Sequence, residues 1–146
     1  MTTGGKQWSV TSGQWPVPPP MSVKTYRDLV VWQKTMDFVA EVYRVIRKFP
    51  KEEQYGITSQ LRRAAVSIPS NIAEGQGRQT TGEFRQFLGA ARGFLLETET
   101  QILLSERLEY MDHKTADGLL EQASEVGRIL NGLLSSLEGS HRSTGH

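Results

Sequence analysis

The chain has 146 residues, 17 Lys+Arg against 16 Asp+Glu, a formal net charge of +1 and no cysteine. The length predicts one domain of ordinary size, and the charge balance excludes a histone-like polycation or an acidic tail protein. Zero cysteine excludes disulfides, thiolate zinc sites and thiol nucleophiles. With no apolar run long enough to span a bilayer and no basic-then-apolar leader, the expectation is a cytoplasmic protein that makes no membrane contact.

Residues 1–24 read as a Gly/Ser/Pro-rich leader ending in Pro16-Val17-Pro18-Pro19-Pro20. Such a run favours extended polyproline backbone and lacks amide donors at each proline. It is either a docking segment or a disordered leader, and the second reading is preferred. Leu29, Trp32, Met36, Val39, Tyr43 and Ile46 then recur at spacings of three and four, predicting a helix near 26–48 with these residues inward. Phe49-Pro50 stops it. A second helix is expected from Lys51-Glu52-Glu53, with Ile57, Leu61, Ala64, Ala65 and Ile68 inward, a break or kink at Pro69, and an end at Gly75 and Gly77.

Thr80 with Glu83 three residues on predicts a capping box and a third helix. Its inward stripe is Phe84, Phe87/Leu88, Ala91, Leu95, Thr98, Ile102, Ser105 and Leu108. Met111-Asp112-His113 makes a turn. A fourth helix near 113–137 carries Ala116, Leu119/Leu120, Ala123, Val126, Leu130, Leu133 and Leu137 inward, and 139–146 reads as a flexible tail. No window alternates with period two. The expected fold is all-α: an antiparallel up-and-down four-helix bundle over residues 25–138 with a kinked second helix.

Catalytic constellations are weak. His113, His141 and His146 fall in a turn and the tail, away from the paired Glu-x-x-His sets that bundle metal sites use. Gly75-Gln76-Gly77 lacks the preceding strand and lysine of a phosphate-binding loop. The chain is therefore expected to be no enzyme and to hold no cofactor or metal. Gly89, Ala90, Ala91 and Gly93 cluster within the third helix, where each glycine costs about 1 kcal/mol relative to alanine. Close approach by another helix offsets that, either inside the bundle or from another subunit.

Charge divides along the chain. From Arg44 to Arg92 nine bases (Arg44, Arg47, Lys48, Lys51, Arg62, Arg63, Arg78, Arg85 and Arg92) face four acids, whereas Gly93–Glu138 holds three bases against nine acids. Arg44, Arg47, Lys48, Lys51, Arg78, Arg85 and Arg92 are the candidates for contacting RNA or DNA phosphates; a solvated charged face is the alternative. A hairpin centred near residue 78 would place Arg62 about one turn from Glu97, so Arg62 or Arg63 is expected to form an ion pair inside the bundle.

Several blocks resemble a known family: Tyr26-Arg27-Asp28-Leu29-Val30-Val31-Trp32-Gln33-Lys34, Phe49-Pro50-Lys51-Glu52-Glu53-Gln54-Tyr55-Gly56, and most specifically Leu61-Arg62-Arg63-Ala64-Ala65-Val66-Ser67-Ile68-Pro69-Ser70-Asn71-Ile72-Ala73-Glu74-Gly75. Ala91-Arg92-Gly93 and Leu96-Glu97-Thr98-Glu99-Thr100-Gln101 complete the match over about residues 25–136. They are similar to the four-helix-bundle proteins encoded within intervening sequences of bacterial 23S ribosomal RNA genes. The resemblance implies a homopentameric bundle. A related accessory protein of diversity-generating retroelements shares that assembly and binds nucleic acid and a reverse transcriptase, so both are implied as partners. Arg62, Arg63, Pro69, Asn71 and Glu97 lie in the matched blocks and take structural roles. Asn71 is expected to satisfy a carbonyl freed by Pro69 or to cap the restarted turn.

Overall fold

Proline and short polar links divide the chain into four helices. A computed structural model describes residues 25–144; the leader at 1–24 and residues 145–146 lie outside the described residues. Thr25 opens the described chain with a capping box around a 3-10 turn at Tyr26–Asp28: its side chain accepts from the Arg27 amide, and Asp28 accepts from the Thr25 amide. Helix α1 spans Val30–Ile46 and ends before Phe49-Pro50. Lys51–Glu53 forms a separate 3-10 turn, so α2 starts later than its acids suggest and spans Ile57–Gln76.

Helix α3 spans Thr81–Arg107, with the Thr80 side chain accepting from the Glu83 amide at 3.1 Å; the Glu83 carboxylate accepts from the Thr80 hydroxyl instead of its amide, so half of the predicted capping box forms. Helix α4 starts at His113, where Asp112 Oδ1 accepts from the Thr115 amide at 2.8 Å. It passes the end expected near 137 and continues to Thr144, so residues 139–144 belong to the helix rather than to a tail.

Each helix packs on its neighbours in sequence, and α4 closes back on α1; among the described residues the diagonal pairs do not meet. The contacts give chain direction. Trp32 of α1 shares a groove with Ala73 of α2, and Tyr43 lies under Arg62. Gly75 abuts Phe84 and Phe87 at one end of the α2–α3 pair, and Glu53 meets Tyr110 at the other. Leu95 faces Gly127, and Glu106 meets His113. Lys34 pairs with Glu125, and Phe49 packs on Tyr110. In every pair residue numbers fall along one helix as they rise along the other, so neighbours run in opposite directions.

The core follows the predicted stripes on α2, α3 and α4, except that Leu108, which lies past the last turn of α3, is exposed. Leu61, Ala65, Ile68, Ile72, Leu88, Ala91, Ile102, Ala116, Ala123, Val126 and Leu130 are buried. Helix α1 departs from expectation. Its buried residues are Val31, Thr35, Phe38, Val42 and Ile46, one step away from the predicted stripe, which shares only Ile46. Both series have helical spacing, and polar Thr35 masks the true one. Its hydroxyl donates to the Trp32 carbonyl at 2.7 Å, so burial strands no donor. Trp32, Met36 and Val39 are thereby turned toward the bundle surface.

Helix α2 runs uninterrupted through buried Pro69, instead of breaking there. Proline at 69 removes the amide that would bond the Ala65 carbonyl. The Asn71 side chain donates to the Ser67 carbonyl at 2.7 Å, not to Ala65. The helix also continues past Gly75, which is buried within it; Gly77 caps the end.

Candidate interaction surfaces

The outward face of α3 is the most unusual surface. Gly82, Gln86, Gly89, Gly93, Leu96, Thr100, Leu103 and Arg107 follow a spacing of alternating four and three residues, and all are exposed. A Cβ built on Gly82, Gly89 or Gly93 meets no atom within 4 Å. Packing inside one bundle therefore does not account for Gly89 and Gly93; within the cluster only Ala91 is buried. Leu96 and Leu103 are 53% and 49% exposed and continue the stripe beyond the glycines.

The candidate basic residues do not form one surface. Arg44, Arg47, Lys48 and Lys51 lie where α1 ends and α2 begins, whereas Arg78 and Arg85 lie where α2 ends and α3 begins. The 20 residues of α2 separate these groups by about 30 Å. Arg92 is exposed farther along α3. Arg44 pairs with Glu41 at 3.0 Å, and Arg78 with Glu74 at 2.9 Å while also covering the Phe87 ring. Hydrogen bonds from Thr115 hold the Asp112 carboxyl below its usual range, with Lys114 and Lys48 adding to the effect. Arg47, Lys51, Arg85 and Arg92 enter no ion pair among the described residues.

Arg62 does not pair with Glu97. Its guanidinium lies 5.8 Å from the Tyr43 ring centroid, toward α1. On α2, Arg62, Val66, Pro69 and Ala73 take the α1-facing side, while Gly75 faces α3, so Arg62 is turned away from the third helix. Arg63 and Glu97 are exposed, and no ion pair joins them.

Three features escaped the sequence reading. Glu53 accepts from the Ile57 amide with one oxygen and from the Tyr110 hydroxyl with the other. His113 Nδ1 lies 2.8 Å from Glu106 Oε2, with Asp117 at 3.8 Å from Nε2. A surface groove between α1 and α2, lined by Tyr26, Trp32, Met36, Val39, Val66 and Pro69, is the third. Its signal is the paired stripes of α1, too many apolar residues for one buried face.

Among the described residues no three His, Cys, Asp or Glu side chains are grouped to hold a metal ion, and no helix is long and apolar enough to cross a membrane. What the geometry defines is an all-α bundle with an uncovered apolar helix face. The model of the 23S rRNA-intervening sequence protein family matches residues 27–132, and the chain belongs to that family. A crystal structure at 1.70 Å of a protein of unknown function from the S23 ribosomal protein family of Bacteroides thetaiotaomicron VPI-5482 shares the fold. Its TM-score is 0.68 at 23% identity, covering 72% of this chain and 98% of that one. No curated protein matches this chain.

Proposed function

We propose that the chain is a non-catalytic, cytoplasmic subunit that assembles with copies of itself and presents bases to the phosphates of RNA or DNA. The outward face of α3 carries the reading. Glycines that meet nothing within one bundle weaken their helix by about 1 kcal/mol each, and a second helix packed closely against them offsets the penalty. Contact between this face and a different face of the next copy is head-to-tail, and such a contact generates a ring where its rotation closes. The family resemblance sets the expected number at five.

Assembly also answers the dispersal of the bases. In a single bundle the candidate bases that enter no ion pair among the described residues, Arg47, Lys48, Lys51, Arg85 and Arg92, are spread over three levels. A ring repeats each level, and later phosphate contacts become intramolecular. Sedimentation of the intact chain against Gly93→Glu tests the assembly. The expected result is an oligomer that the variant reduces to folded monomer; a monomeric parent chain overturns it. Salt titration of RNA binding by the oligomer tests the second half, with affinity expected to fall steeply as salt rises.

A further inference from the structure

Helix α1 carries two apolar stripes where the bundle uses one. Val31, Phe38, Val42 and Ile46 fill the core, while Trp32, Met36 and Val39 line the groove against Val66, Pro69 and Ala73 of α2. Met36 and Val66 remain 44% and 39% exposed. The wall at one end is Tyr26, whose ring meets Trp32 edge-on at 5.2 Å. Thr25 and Asp28 fix that residue through their reciprocal cap, so the leader joins the described chain at the groove itself.

We propose that the leader segment Trp15-Pro16-Val17-Pro18-Pro19-Pro20 is the occupant of this groove. Three observations converge. The first is reach: Pro20 precedes Tyr26 by six residues, and six extended residues span up to about 20 Å. The second is length: the five residues Pro16 to Pro20 extend about 15 Å as polyproline helix, against about 10 Å along α1 from Trp32 to Val39. The third is chemistry. The groove is walled by aromatic and aliphatic side chains, with Ser70 and Glu74 at its rim. A segment rich in proline covers such a surface without stranding amide donors, and aromatic grooves are the common receptors for polyproline helices. Trp15 adds one large apolar ring to be buried.

Methyl resonances of the methionines give the test in the full chain. Met36 lies in the groove, and Met111 is buried just ahead of α4, at the opposite end of the bundle. Deleting residues 1–20 and, separately, Trp15→Ala are expected to shift the Met36 signal and leave Met111 in place. A peptide of residues 8–24 added to the truncated chain is expected to move Met36 back. Identical Met36 signals in the full and truncated chains overturn the proposal. So does a Met36 signal that follows protein concentration alike in both, which would make a second copy the occupant.

Discussion

The Tyr110 hydroxyl donates to Glu53 Oε2 at 2.8 Å, joining two chain reversals 57 residues apart. The other oxygen of Glu53 accepts from the Ile57 amide at 3.3 Å, so one carboxylate serves the start of α2 and anchors the end of α3. Phe49 packs against the same ring at 5.5 Å. Tyr110→Phe keeps the ring and deletes the bond, so a lower urea midpoint with an unchanged slope is expected. Glu53→Ala strands the Ile57 amide as well and is expected to lower it further. The hydrogen bond to Glu53, then burial and acidic neighbours, raise the Tyr110 phenol above its ordinary 10.0. Stability tied to that proton is complete below 10 and is lost as pH rises through the raised folded value. Tyr110→Phe should remove this alkaline loss; an unchanged alkaline limb would refute the link.

Gly75 marks a close approach of α2 to α3. A Cβ there lies 2.6 Å from Phe87 Cβ and 3.1 Å from Phe84 Cδ1, distances that require the helices to separate. Helix propensity alone would favour alanine by about 1 kcal/mol. Overpacking of this kind costs about 1–3 kcal/mol and prevails, because the nearest atom is a Cβ fixed to the backbone. Gly75→Ala is expected to lower the thermal midpoint, as read by circular dichroism. Gly132→Ala, an exposed α4 position whose new methyl meets nothing and which lies off the α3 face, should not lower it.

The contrast between these glycines shows how far the sequence carries. Helical periodicity placed α2, α3 and α4 and most of their core, because large apolar residues recur on their buried faces often enough to fix the stripe even where Thr98 and Ser105 interrupt it. It misplaced the face of α1 because two series share its spacing and a self-satisfied threonine interrupts the true one. Spacing along the hairpin predicted Arg62 near Glu97, yet the rotation of α2 turns Arg62 toward Tyr43. The basic residues looked like one group because sequence proximity was read as spatial proximity. In a bundle, residues 44–51 and 78–85 lie at opposite ends of one helix. The Glu53–Tyr110 bond had no local signature, since its partners meet only when the bundle closes.

His113 opens α4, where the positive helix end disfavours an imidazolium. The hydrogen bond to Glu106, then the charges of Asp117 and Glu106, outweigh that and raise the ring above its ordinary 6.5. A group whose folded value is raised contributes stability that is complete below the unfolded value and lost as pH rises through the folded one. Unfolding midpoints are therefore expected to fall as pH rises above the ordinary histidine value of 6.5 at low salt. His113→Gln should flatten that slope, and added salt should weaken it, because the ring is exposed. A slope that persists in the variant would assign it to another group.

Glu109 is the one described non-glycine residue with positive φ, at 63°. It follows the last turn of α3, and the hydrogen bonds around it explain the geometry. The Glu109 amide donates to the Glu106 carbonyl and the Tyr110 amide to the Ser105 carbonyl, both at 2.9 Å. This is the paired Schellman closure, whose left-handed position glycine usually occupies. A side chain there costs about 1–2 kcal/mol, from the Cβ crowding its carbonyl. The closure is retained because it aims Tyr110 at Glu53 and Phe49, so packing of the following residue holds the strained one in place. Glu109→Gly relieves the crowding and keeps both bonds. The extra freedom of glycine in the unfolded chain takes back part of the gain. A net rise of about 1 kcal/mol in unfolding free energy is expected from urea titration. The gain should survive in Tyr110→Phe, because the strain belongs to the backbone; loss of the gain there would place its source in the Tyr110 contact.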